Sequence, residues 1–237
     1  MAALPGLLIR QHERPVPVQN ISGVFAREFL LDQPVVADTV SNASLMLIAC
    51  FVPLGVSIVL SFISPARGAV RAFVHAWLWT MATQLLVVGC LKAYCGYWRP
   101  IFLDECGFDA ASGQCTQASY LHAYRSFPSG HASTATSSLL LTSLRLIGAL
   151  RLGAAPRRLG LGRPGLYFEF DSLLTALSLL PTFLAAWIAG SRVHDNAHHP
   201  ADVVGGALVG GGAAVLWYLR YFRGLLFGAD AHQPRRE

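Results

Sequence analysis

Three short stretches of the chain hold the side chains that could do chemistry, and long apolar runs separate them. The first runs from Lys92 to Arg99 and Pro100, with Lys92 and Arg99 seven positions apart. The second is Phe127-Pro128-Ser129-Gly130-His131, and the third runs from Ser191 to Asp202 and contains Arg192, His198 and Asp202. Together they supply three cations, two histidines, a carboxylate able to orient a histidine, and a glycine turn that opens a helix. Phosphoryl transfer uses that inventory. Lysine and arginine meet the charge on the equatorial oxygens, a helix N-terminus receives an anion, and a positioned imidazole moves a proton.

The elements that must position these residues belong to a membrane. Of the 237 residues 54% are hydrophobic and only 13% charged, against about 25% charged in ordinary soluble domains. Mean hydropathy is +0.47. No Asp or Glu occurs from Thr39 to Leu103, from Ala110 to Phe168, from Ser172 to His194, or between Asp202 and Asp230. The net charge of +5 does not point to nucleic acid, because the basic residues fall in connectors and form no patch with interleaved aromatics. All basic residues but Lys92 are arginine.

Five apolar runs predict membrane-spanning helices, at roughly Ser44–Ile63, Phe73–Leu91, Ala132–Leu150, Leu173–Gly190 and Val203–Leu219. Each has about the 17–25 residues that cross a ~30 Å hydrocarbon layer, and lipid-facing backbone must satisfy its own hydrogen bonds. The expected fold is therefore all-α, a polytopic membrane helix bundle. Residues 1–42 are an N-terminal segment, with a short interfacial helix around Phe25 to Leu31 as its candidate structure. Residues 43–222 form the membrane domain and 223–237 a short tail. Met1 to Ile9 is too short to span and is cut by Pro5. Arg67 and Arg71, then Arg151, Arg157, Arg158 and Arg163, then Arg220, Arg223, Arg235 and Arg236 mark three cytoplasmic connectors by the positive-inside rule. All three motif stretches then share the extracytoplasmic or lumenal side. In the last span Gly205, Gly206, Gly210, Gly211 and Gly212 read as a packing surface.

Lys-x6-Arg-Pro, Pro-Ser-Gly-His and Ser-Arg-x5-His-x3-Asp resemble the three signature motifs of the type-2 phosphatidic acid phosphatase superfamily, in order and at every signature position. The flanking apolar runs and the segment Arg27-Glu28-Phe29-Leu30-Leu31-Asp32 are similar to its integral-membrane branch, the lipid phosphate phosphatases. The resemblance implies that His198 is the nucleophile and forms a phosphohistidine. Asp202 would fix its tautomer, and His131 would protonate the leaving alkoxide. Lys92, Arg99 and Arg192 would clamp the phosphate, with Ser129 and the Gly130 amide donating from the helix start. It implies no metal and no cofactor. The substrates would be lipid phosphomonoesters in the bilayer, and a homo-oligomer is compatible with this reading. Polyisoprenyl-diphosphate or sugar-phosphate hydrolysis, or phosphate binding without catalysis, are the alternatives. That branch has six helices, and the first of them is missing from the five runs here.

Other residues are open. His75 and His122 read as structural hydrogen-bonders. Arg125 and His199 are substrate-side candidates. His194, His198 and Asp202 recur every four residues, so a continuous helix would align them as metal ligands, but Pro200 argues against that helix. Cys106 and Cys115 share one polar loop and could pair in an oxidising compartment.

Overall fold

The computed structural model describes residues 16, 19–21, 24–26, 28–117, 123–150, 158–160, 167–224 and 233–235. Helices dominate: α1 (Asn42–Ile63), α2 (Ala69–Cys95), α3 (Gly130–Ala149), α4 (Phe170–Ser178), α5 (Leu180–His194) and α6 (Pro200–Tyr221), with a one-turn helix at Phe102–Glu105. Among the described residues the strands form three short antiparallel pairs: β1 (Gln19–Ile21) with β2 (Val24–Ala26), β3 (Phe108–Asp109) with β4 (Gln114–Cys115), and β5 (Arg158–Gly160) with β6 (Tyr167–Glu169). The expected all-α polytopic bundle is what the chain forms.

The helices run past the apolar stretches that predicted them, because a helix ends where its backbone is capped and not where its hydrophobicity stops. Gly68 and Gly96, both in the left-handed region (φ 78° and 52°), bound α2. Lys92 consequently sits in the last turn of α2, Arg192 in the last turn of α5 and Asp202 in the first turn of α6. Ser129 caps α3, its Oγ accepting from Ala132 N at 3.4 Å. The sequence leads to the site through helix ends.

Among the described residues four segments, Asn42–Ile63, Ala69–Cys95, Ser172–His194 and Pro200–Tyr221, are long and apolar enough to cross a membrane. The fifth expected span, α3, differs for a physical reason. It packs against α1, α2, α5 and α6, and 16 of its 20 residues are buried, so its Ser and Thr side chains face partners and not lipid. Ser138 Oγ donates to the Ala49 carbonyl of α1 at 2.5 Å, Ser133 Oγ to Gln84 Oε1 of α2 at 2.9 Å, and Thr182 Oγ1 of α5 to Ser143 Oγ at 2.9 Å. Such cross-helix bonds add to van der Waals packing, which drives association where lipid offers no hydrophobic gain. The outer helices show the reverse pattern, with Phe51 and Phe62 of α1, Trp187 of α5 and Leu208 of α6 more than half exposed.

Two glycines bring α6 onto α3. A Cβ at Gly206 would collide with the Ser129 carbonyl oxygen, and one at Gly210 with that of Ser133. The expected packing surface is confined to part of the glycine run, since Gly212 has nothing within 4 Å.

The N-terminal segment departs from expectation. The β1–β2 hairpin and a three-residue 3-10 turn, Phe29–Leu31, stand where an interfacial helix was the candidate. Seven residues are under two helical turns, too few for the hydrogen bonds gained to offset nucleation. Residues 32–41 then cross the motif end of the bundle: Gln33 N donates to Pro100 O at 3.0 Å, and Asn196 Nδ2 to Pro34 O at 3.2 Å. At the same end Cys106 and Cys115 form a disulfide. Met1 to Ile9, Arg27, His122, Arg151, Arg157, Arg163 and Arg236 lie outside the described residues.

Candidate active site

The three motif stretches meet at one end of the bundle, joined through their backbones. Arg99 N donates to Ala123 O at 2.8 Å, Ser126 N to Tyr97 O at 3.0 Å, and Ser129 N to Asp202 O at 2.9 Å. These bonds tie the end of α2, the start of α3 and the start of α6 into one unit. Lys92 Nζ donates to the Arg125 carbonyl at 2.5 Å, and a Cβ on Gly130 would lie 4.0 Å from Lys92 Cε. The ammonium is thus held beside the first turn of α3. Arg125 itself is half-buried.

The centre of the site is a carboxylate that serves several partners. Asp202 is fully buried. Its Oδ2 accepts from Ser126 Oγ at 2.5 Å and from His199 N at 2.9 Å, and lies 3.3 Å from His199 Nδ1. His198 Nδ1 is 3.7 Å from the same oxygen, beyond direct hydrogen bonding, and 3.5 Å from Ser126 Oγ. Because Ser126 donates to Asp202, its oxygen is left to accept from His198 Nδ1–H. The expected aspartate–histidine pair is therefore relayed through a serine that the sequence did not single out. With Nδ1 turned to this relay, Nε2 carries the lone pair free for chemistry. Burial pushes the His198 pKa down to about 3, with the charges of Lys92 and Arg99 adding to that and Asp202 opposing it. The imidazole is neutral at physiological pH.

The continuous helix that would align His194, His198 and Asp202 does not form. A turn separates α5, which ends at His194, from α6, where Pro200 occupies the first turn, and His194 is exposed. Among the described residues no three His, Cys, Asp or Glu side chains converge as metal ligands. His199, a substrate-side candidate, instead turns its ring toward Asp202 and packs against Tyr97, with ring centroids 5.4 Å apart.

The cations differ in how they are held. Arg192 is buried, with Nη2 2.8 Å from Asp38 Oδ1 and Nη1 3.2 Å from Asp195 Oδ2. Asp195 is fixed in turn by Thr39, whose backbone N and Oγ1 donate at 2.9 and 2.5 Å. Arg99 is half-buried, and desolvation lowers its pKa from the usual arginine value while Glu105 opposes the shift. His131 lies 3.0 Å through Nε2 from the Val40 carbonyl. A carbonyl only accepts, so Nε2 carries the proton and Nδ1 is left for exchange. Asp38, Thr39 and Val40 were not candidates from the sequence. Asp195 stood unassigned inside the third stretch.

This arrangement provides a neutral imidazole oriented through one nitrogen, a second imidazole, and three cationic side chains, Lys92 and Arg192 on helix ends and Arg99 in the loop after α2. It can hold a tetrahedral anion and exchange protons with it.

Comparison with known proteins agrees. The PAP2 superfamily model matches residues 73–225. The chain is 30% identical over 207 residues to lipid phosphate phosphatase 2 of Arabidopsis thaliana, covering 81% of this chain and 65% of that protein. It is 28% identical over 149 residues to probable diacylglycerol pyrophosphate phosphatase 1 of Schizosaccharomyces pombe, covering 58% and 49%. A third match, 26% over 172 residues and covering 65% and 20%, is phospholipid phosphatase-related protein type 4 of Rattus norvegicus. The chain thus spans between about half and two thirds of the length of the first two relatives. No solved structure matches it.

Proposed function

The chain belongs to the PAP2 superfamily, and from that premise we propose that it hydrolyses lipid phosphomonoesters through a phosphohistidine at His198. The observation that carries the reading is the buried, neutral His198 with Nδ1 directed at the Ser126–Asp202 relay. Phosphate binding alone needs the cations and has no use for an oriented imidazole.

In the first step Nε2 of His198 attacks phosphorus and the P–O bond to the lipid alkoxide breaks. The imidazole gains positive charge, which Asp202 stabilises from the Nδ1 side. His131, carrying a second proton on Nδ1 when the phosphate is bound, gives it to the alkoxide as it leaves. In the second step His131 takes a proton from water, which attacks the phosphohistidine and releases inorganic phosphate and neutral His198. Lys92, Arg99 and Arg192 hold the equatorial oxygens, assisted by Ser129 and the Gly130 amide at the start of α3. Arg125 contacts the headgroup beyond the phosphate. No step uses a metal.

The site lies at the ends of four apolar helices, which suits a substrate whose tails stay in the bilayer. Phosphatidate, lysophosphatidate, diacylglycerol pyrophosphate and sphingoid phosphates share that shape. Arg67, Arg71, Arg220, Arg223 and Arg235 gather at the opposite end, which supports an orientation with the site on the extracytoplasmic or lumenal face.

The test is phosphate release from phosphatidate in mixed detergent micelles with EDTA present. Release that is indifferent to EDTA and falls by about 10³-fold or more in His198→Ala is expected. Activity that survives that substitution, or that requires a divalent metal, would sink the mechanism.

A further inference from the structure

At the end of the bundle opposite the catalytic site lies a cleft of about 710 Å³, reached by six cationic or titratable side chains: Arg67, Arg71, His75, Arg220, Arg223 and Arg235. They come from three separate segments, the α1–α2 turn with the start of α2, the end of α6, and the tail. The tail is folded back to contribute. Arg223 N donates to Gln233 O at 3.3 Å, Arg235 N to Tyr221 O at 2.8 Å, and Phe222 pairs with Pro234. Among the described residues no carboxylate lines the cleft. Gathering five arginines this way costs repulsion that nothing among the described residues offsets.

A sixth cation stands behind the wall. Arg145 of α3 is fully buried, and none of its three guanidinium nitrogens has a hydrogen-bond partner among the described residues. Its guanidinium carbon lies 5.4 Å from the Phe222 ring centroid, on the residue that pairs with Pro234 of the cleft. A contact with an aromatic face does not neutralise charge, so the field of Arg145 adds to that of the cleft.

Position tells which anion fits. Arg71 and Lys92 are 21 residues apart on the continuous helix α2, roughly 30 Å at the α-helical rise, which is about the thickness of the hydrocarbon layer. The cleft therefore sits at headgroup level of the leaflet opposite the one the catalytic site faces. Arginine presents a planar fork that grips phosphate oxygens in pairs. We propose that this cleft is a second, non-catalytic phosphate site, which takes the phosphorylated headgroup of an anionic lipid in the opposite leaflet. The same chemistry would accept free phosphate, and the experiment separates the two sources.

The full-length protein in detergent micelles is melted with a short-chain phosphatidylinositol bisphosphate, with phosphatidylcholine of the same chain length, or with inorganic phosphate. The bisphosphate lipid is expected to raise Tm by about 3 °C or more, as a ligand that binds only the folded state does. Phosphatidylcholine should not. An equal rise with inorganic phosphate supports the site and makes the free anion its ligand. The double variant Arg71→Gln/Arg220→Gln should lose the rise, Arg71→Lys/Arg220→Lys should keep part of it, and Arg192→Gln at the catalytic end should keep all of it. The single variant Arg67→Gln, at a turn outside the helices, should weaken the rise and gives the same reading if the double variant does not fold. No rise with any probe, a rise that survives loss of the cleft arginines, or one abolished by Arg192→Gln, would overturn the proposal.

Discussion

Both ends of this bundle collect cations, and they treat them in opposite ways. At the catalytic end Arg192 is matched by Asp38 and Asp195, and Asp202 Oδ2 accepts from Ser126 and His199. At the far end Arg67, Arg71, Arg220, Arg223 and Arg235 line a cleft that has no carboxylate among the described residues. Chemistry needs charges held in fixed geometry before the substrate arrives, and Lys92 and Arg192 are bonded in that way. Binding without chemistry needs only net charge. On the proposed reading, that difference separates a reacting site from a holding site on one scaffold.

The comparison breaks most sharply at Asp202, the residue that organises the catalytic end. Asp202→Asn keeps the shape but removes the negative charge that would stabilise the charged imidazole. Phosphate release should fall on the order of 10²–10⁴-fold, as loss of a histidine-orienting aspartate does elsewhere. Steady-state kcat on phosphatidate measures it, and a drop under threefold would mean that orientation is supplied otherwise. Ser126→Ala should have a smaller effect, about tenfold in kcat with little change in KM, because it removes one hydroxyl from the relay. A loss confined to Tm, with kcat untouched, would make Ser126 structural.

Gly206→Ala sharpens the comparison from the side of the scaffold. Its Cβ would meet the Ser129 carbonyl, in the turn where α6 presses on the start of α3. About 1–3 kcal/mol of destabilisation is expected from the forced backbone shift, read as a lower Tm with catalysis impaired as well. Gly212→Ala, which meets nothing within 4 Å, is the control and should leave both unchanged.

The smallest expected effect is in pH. His198 is lowered to about 3 in the folded chain from about 6.5 unfolded. Between those values the unfolded chain binds the extra proton, so this contribution is fully present above about pH 6.5 and is lost as pH falls toward 3. Tm should decline from pH 7 to pH 5, and less steeply in His198→Gln. Equal slopes in wild type and His198→Gln would show that the imidazole is not the titrating group.

Local spacing carried much of the site into view from the sequence. Lys92, Arg99, Ser129, His131, Arg192, His198 and Asp202 stand in short stretches beside apolar runs, and those runs become the helices whose ends hold them. Contacts made across the chain were invisible. Asp38 reaches Arg192 across 154 positions and Val40 reaches His131 across 91, and no periodicity reports either. Ser126 looked like an ordinary loop serine because its role depends on Asp202, 76 positions away. The polar character of α3 was legible, but its central place was not. That place follows only once α1, α2, α5 and α6 pack around it and take up its hydroxyls.

The central claim is that the phosphoryl group passes through His198. The direct measurement is a rapid alkaline quench of the full-length protein with phosphatidate labelled with radioactive phosphorus in its headgroup. A base-stable, acid-labile label on the wild-type chain, mapped to His198 and missing from His198→Ala, is the predicted result. Label on the His198→Ala chain at the wild-type level, or on a different residue, would contradict the account.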